Sequence, residues 1–514
     1  MIPRIVDTIS SVAFENCVNI KKVVLTRYVH SVDINSFRGC TSLEELIAED
    51  GAYLGESALY GCKSLKKVSF AAMPKASETK FSDISLEDLS DEFDDGFDPD
   101  YLMYPYDYNT FDQTNIDLVI NVPKQYEDIV KKRCLTYVPL VNASPTDHRY
   151  CITVNGEYFS DEHKVIKCGD GTASYDPTTN TITLENAEIT ESLTLFTTYD
   201  GFVNELTDPY IDESAKYVEE LFSDDSVIYT GQKDLTISLK GKNTLAAYDS
   251  YYSYHDFTDN IEAADSFAVL STGNVIFKGD GSFETYLMKK NDNEEYYMSD
   301  YRLHSKLAVD GNITFDGVSI YRLLNYSSTV ESSDDTGIIT IKDSTLSDVD
   351  LVAPSGLTIK NSAVTVNDTS INEYGAVHEY SHIDVWTGDI SIENSEFVFA
   401  KVENRCLYVG VEKEPSPITA NGVTLKSGIL DSEAEVNITN LNCDYANEKD
   451  LENKSEDIKE TFENRIFGSA ITVSGKGTAK YLKLANFTDE EPKKGISVSG
   501  IEFYNHYPQL KEKS

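Results

Sequence analysis

The chain has 514 residues, and its 44 Lys and Arg face 87 Asp and Glu, giving a formal net charge of −43. Such a charge repels phosphate backbones and anionic lipid surfaces, which argues against nucleic-acid and membrane-surface partners and leaves cations and neutral sugars open; it also serves simply to keep a long β protein soluble. No apolar run approaches the roughly 20 residues that a membrane-spanning helix needs, so no membrane insertion is expected.

Residues 5–70 hold about three short repeats, V-A-F-E-N-C-V-N-I-K-K-V, N-S-F-R-G-C-T-S-L-E-E-L and S-A-L-Y-G-C-K-S-L-K-K-V. Phe14, Phe37 and Leu59 lead the units. Ile20, Leu43 and Leu65 follow each Cys by three residues, and Val23, Leu46 and Val68 open a strand. An apolar period in the low twenties is the leucine-rich pattern, in which each unit buries its face on its neighbours. Cys17, Cys40 and Cys62 share one repeat position, with no His or second Cys beside any of them. They read as small buried hydrophobes rather than metal ligands. This segment resembles the BspA-like leucine-rich repeat family, whose A-F-x-x-C-x-x-L signature is matched closely at 13–20. The resemblance implies a surface or secreted protein engaged in adhesion or ligand display.

From Ala71 the pattern breaks into an acidic, Tyr-rich insertion over 71–115, which reads as a solvated loop. D-E-F-D-D-G at Asp91 is not an EF-hand, because its third and twelfth places are Phe93 and Leu102, where that loop needs oxygen ligands. Over 116–147 a closing strand (Ile116 to Val122), a stop at Pro123, a helix from Lys124 to Cys134 and a Pro-marked linker are expected. The first repeat has nothing before it to cover its apolar end, so the chain reads as an N-terminally truncated piece of a longer secreted one.

Residues 148–510 read as a second solenoid, opening with a hairpin at I-T-V-N-G-E-Y-F. Ten segments there share one plan: an alternating strand, a small residue, and another apolar residue three or four places on. The small residues are Asn186, Gly241, Gly279, Gly317, Asp343, Asn361, Asn394, Asn440, Gly475 and Gly500. Gly lacks a Cβ, and Asn and Asp tolerate positive φ, so the column predicts a repeated left-handed turn between two short strands. Alternate residues such as Leu357, Ile359 and Val364 should then fill the interior. Asp343 to Asn361 is the shortest interval and marks a bare coil; longer intervals read as a coil plus an insertion, and insertions on solenoids are where function usually sits. The fold expected is mainly β: a right-handed parallel β-helix preceded by a short leucine-rich domain over 1–70.

Those insertions concentrate Tyr and acid. Tyr251, Tyr252, Tyr254, Asp256, Tyr296 and Tyr297 form candidate ligand-binding clusters, since Tyr can stack on a sugar while a carboxylate bonds its hydroxyls. The alternative is that the tyrosines pack the insertions onto the solenoid wall. Asp334 and Asp335 form a candidate calcium site. H-E-Y-S-H at His378 to His382 fits the zinc-protease template, but H-I-D-V-W alternates like a strand, so it reads as a chance match. No catalytic residue is assigned, although a dispersed constellation could escape this reading. Cys151 and Cys168 could pair across a hairpin, but no disulfide is assigned.

The runs G-D-I-S-I-E-N-S-E-F, G-L-T-I-K-N-S-A-V and Y-D-P-T-T-N-T-I-T-L resemble a bacterial β-helix family described as carbohydrate-binding, similar to pectate lyases in fold. The resemblance implies calcium-assisted binding of acidic polysaccharide without an established catalytic site. The expectation is a monomeric, non-catalytic, extracellular or cell-surface bacterial protein binding polysaccharide, with no cofactor required and calcium possible. A polysaccharide lyase acting on pectin-like glycans and an adhesin for a host or neighbour-cell protein stand as alternatives.

Overall fold

The computed structural model describes residues 3, 5–55, 57–72, 110–111, 113–115, 117–127, 140–143, 149–190, 193–194, 225–230, 234–249, 266–271, 273–290, 296–298, 305–309, 311–326, 337–366, 380–404, 416–451, 455, 459, 462–486 and 495–504. It is mainly β. In the N-terminal repeats Lys22–Leu25, Glu45–Ala48 and Lys67–Phe70 stack parallel and in register, and Val119–Asn121 joins them as a fourth strand. Thr110 and Phe111 already belong to this stack: the Leu59 amide donates to the Thr110 carbonyl at 3.1 Å, and Phe111 is buried in the same core as Leu59 and Leu118. Cys40 and Cys62 lie fully buried, their thiols donating to the carbonyls of Phe14 at 3.1 Å and Phe37 at 3.2 Å. Burial pushes Cys62 up to about 12, so it behaves as the inert apolar residue its repeat position calls for. After Pro123 the described chain makes a short 3-10 turn, Lys124–Tyr126; most of the expected helix lies outside the described residues.

The larger body opens with antiparallel strands. Arg149–Val154 and Glu157–Ser160 form a hairpin whose turn residues Asn155 and Gly156 both take positive φ, as an N-G turn requires. Cys168 is a buried free thiol. A solenoid-like stack of three-strand coils follows. Residues 339–353 show the plan: Ile339–Lys342 runs into Asp343 at φ 49°, Thr345–Ser347 into Asp348 at φ 52°, and Asp350–Ala353 completes the coil. One coil on, Leu357–Lys360, Ala363–Thr365 and Ser381–Val385 pair parallel with these three in turn. The first two strands of successive coils make one large sheet bent at the turn column; the third strands make a second sheet. Leu357, Ile359 and Val364 are buried, and further down the axis the rings of Phe277 and Phe315 stack at 5.3 Å.

All ten residues of the turn column have positive φ, and Gly422 adds an eleventh at 70°. The interval from Asn394 to Asn440 therefore hides a whole extra coil, Ile418–Ser432, where the sequence suggested one coil and an insertion. Along the column the side chains bond to one another: Asn361 Nδ2 donates to Asp343 Oδ1 at 3.0 Å, and Asn394 Nδ2 donates to Asn361 Oδ1 at 3.4 Å. One place further, the buried hydroxyls of Ser344, Ser362 and Ser395 each donate to the carbonyl two residues back and accept an amide from the preceding coil. Ala at 394 must adopt a left-handed conformation that costs L-residues about 1–2 kcal/mol and gives up the amide bond, whereas Gly gives up only the bond. Asn394→Ala should thus destabilise more than Asn394→Gly in urea unfolding, by about 1 kcal/mol.

A second corner, between the second and third strands, is also left-handed, at Arg322, Asp348, Phe399, Ser427 and Tyr481. Large side chains hold it. Phe399 is fully buried and meets Tyr380 and Phe462 edge-on at 5.9 and 6.0 Å, and Tyr481 stacks on Tyr445 at 3.7 Å. Packing of this outer cluster offsets the backbone strain that such residues incur.

Candidate functional site

Along the chain, residues 367–379 come before the third strand Ser381–Val385 and residues 405–415 come after the third strand Ala400–Asn404, whereas Leu357–Lys360 and Ala363–Thr365 are joined at the first corner by two residues alone. The sheet built from the third strands, here the third-sheet wall, carries the candidate site on its outer face. Among the described residues a group of charged side chains spans four neighbouring strands of it, Asp350–Ala353, Ser381–Val385, Ala400–Asn404 and Ile429–Ser432. In Ser381–Val385 the burial alternates, with Ser381, Ile383 and Val385 inside and His382 and Asp384 outside; Trp386, half-buried, continues the outer row. Parallel register places Asp350 beside His382 and Lys401, and Asp384 beside Glu403 and Asp431.

Alternation and register alone thus bring together a histidine, a lysine and four carboxylates that are far apart in sequence. The imidazole Nε2 lies 3.0 Å from Glu403 Oε2 and 3.2 Å from Asp384 Oδ1, while Nδ1 faces Asp350 Oδ1 at 3.7 Å. Lys401 Nζ bonds the same Glu403 oxygen. Glu403 is only 4 % exposed and Asp431 1 %, so this is a partly dehydrated cluster rather than a solvated acidic face. Burial by itself would lower the basicity of His382. The hydrogen bonds to Asp384 and Glu403 and the charges of Asp384 and Asp350 outweigh it and hold the imidazole up to about 9. At neutral pH the site therefore holds an imidazolium against carboxylates and Lys401, with Trp386 two residues beyond Asp384 in the chain. It can donate and accept hydrogen bonds to hydroxyls and move protons.

The sequence-level candidates are not among these residues. Tyr251, Tyr252, Tyr254, Asp256, Asp334 and Asp335 lie outside the described residues. Tyr296 and Tyr297 lie on a short strand, Tyr296–Met298, antiparallel to Ser282–Lys290, with their side chains outside the described set. His378 and Glu379 are likewise outside it, whereas His382 stands on a strand, where the helical two-histidine geometry of zinc proteases cannot form. The cluster was missed because its signals, H-x-D-x-W and K-x-E, carry no fixed offset from the turn column. His382 follows Asn361 across residues 367–380, whereas Lys401 follows Asn394 almost at once. A shallow groove of about 490 Å³ along the first corner is lined by the Asn and Ser ladders, whose groups bond one another and build scaffold.

Residues 1–92 match the family described as BspA type Leucine rich repeat region, in six copies. Repeats of this type are typical of bacterial surface proteins. No curated protein and no solved structure matches the chain. Among the described residues no helix is long and apolar enough to cross a membrane.

Proposed function

We propose that this chain is a non-catalytic, extracellular or cell-surface bacterial protein that binds polysaccharide on the third-sheet wall of a right-handed parallel β-helix, with the leucine-rich segment as a second interaction module. The observation that carries this reading is the outer row His382, Asp384, Trp386, set against Lys401 and Glu403 on the next strand. An indole face stacks on the C–H face of a pyranose, and charged groups a few ångströms away bond its hydroxyls. A repeating sugar chain suits a wall whose strands repeat at about 4.8 Å. A glycan array with and without calcium tests it: one polysaccharide class is retained by the native chain and lost in Trp386→Ala. Retention of no polysaccharide in either condition overturns it, and capture of host-cell protein alone would favour the adhesin reading.

A second reading has an observation of its own. Asp384 and Glu403 are carboxylates able to accept a proton drawn from a sugar ring, and His382 and Lys401 stand beside them on an outer strand face to stabilise the resulting charge, the pairing a polysaccharide lyase needs. Release of ultraviolet-absorbing unsaturated products from polygalacturonate, abolished in Lys401→Met, would establish it.

A further inference from the structure

The geometry points to a divalent transition-metal site at His382, Asp384 and Glu403. One donor atom from each lies within 4.8 Å of the others, and Nε2 makes contacts of 3.0 and 3.2 Å to the two carboxylates. Donors bound tetrahedrally to Zn²⁺ at about 2.0–2.1 Å stand about 3.3 Å apart, so two edges of a coordination polyhedron exist before any metal enters. The donors sit on rigid strands in fixed register, and small side-chain shifts would bring the third edge in.

A second observation, independent of the three donors, points the same way. Asp350 Oδ1 faces the other ring nitrogen, Nδ1, at 3.7 Å from the neighbouring strand. At that distance Asp350 is a charge partner and not yet a hydrogen-bond acceptor, and a shift of under about 1 Å would make it the carboxylate that orients a metal-binding imidazole and makes its Nε2 a better donor. Lys401, a quarter exposed at its side chain, can swing its ammonium into solvent when a dication takes over the neutralisation of Glu403. On binding, Nε2 gives its proton to solvent and its lone pair to the metal.

The donor set also selects the ion. Calcium takes hard oxygen ligands, six to eight of them, whereas one imidazole with two carboxylates suits Zn²⁺, Mn²⁺ or their neighbours. The site therefore differs in place and in chemistry from a calcium site in the acidic insertions. It shares the proposed sugar-binding wall but does not depend on a sugar being bound there.

The full chain, stripped with EDTA and dialysed, would be titrated calorimetrically with Zn²⁺, Mn²⁺ and Ca²⁺ in separate runs, with elemental analysis for stoichiometry. The expected result is saturable uptake of one equivalent of Zn²⁺, Mn²⁺ weaker and Ca²⁺ weakest, lost in His382→Gln and in Asp384→Asn. Asp350→Asn, which touches no metal, should weaken uptake by about 10-fold to 100-fold. Circular dichroism melts of each variant identify any that fails to fold, and Asp350→Asn keeps the test open if His382→Gln does. No saturable uptake, equal uptake by native chain and His382→Gln, or preference for Ca²⁺ over Zn²⁺ overturns the site. Because no glycan is present, metal uptake without glycan retention would refute the sugar reading alone, and glycan retention without uptake the metal site alone.

Discussion

Phe315→Ala should lower the unfolding free energy by about 3–5 kcal/mol, the cost of removing a fully buried phenyl ring and leaving a cavity that its surroundings only partly close. Phe315 is 0 % exposed. Its ring stacks on Phe277 of the preceding coil, and its backbone pairs with Ile341 of the next. Neither neighbour can collapse into the gap, because each is fixed by its own parallel ladder. In a solenoid a coil is held mainly by its nearest neighbours, so the loss should be local as well as large. Urea unfolding measures the total, and amide exchange should speed up most in the coils flanking residue 315. Thr314→Ala, half-exposed on the same strand, should stay within about 0.5 kcal/mol. A change of less than about 1 kcal/mol on removing Phe315 would mean that the coil interior is not filled as described.

The second large effect concerns pH. His382 is held up to about 9 against an ordinary 6.5. A group whose folded pKa is raised binds its proton more tightly in the folded state, so its contribution is fully present below about 6.5 and is lost as pH rises through about 9. The displacement corresponds to on the order of 3 kcal/mol. Burial opposes the shift, and Asp384 and Glu403 at Nε2 with Asp350 at Nδ1 outweigh it. In chelator-treated protein, the native chain should be more stable than His382→Gln at pH 6, and the two should converge near pH 10. Taking the difference between the two proteins removes the lysines and tyrosines that also titrate at the upper end. A stability gap that does not change with pH would show that His382 acts by packing and not by charge.

Some of this architecture could be read from the residues. The Phe-x-x-Cys-x-x-Leu spacing marks the first repeats because a leucine-rich coil needs apolar side chains at fixed intervals, and Phe37, Cys40 and Leu43 are all buried. The turn column of the second body was legible because Asn, Asp and Gly are the residues that accept a left-handed backbone, and every one of the ten does so. The second corner was not legible. Phe399 and Tyr481 also sit at positive φ, yet nothing in their chemistry announces it; packing against Phe462 and Tyr445 holds them there.

The sequence by itself determined the repeated strand and turn, because backbone preference and alternation are local properties that survive without knowledge of neighbours. Only the tertiary structure decided which residues share a surface. His382, Lys401, Asp350 and Glu403 meet because parallel pairing sets coil against coil in register, and the unequal insertions that separate them in the chain hide that register. The turn column is scaffold, and the chemistry gathers on the wall opposite the letters that repeat.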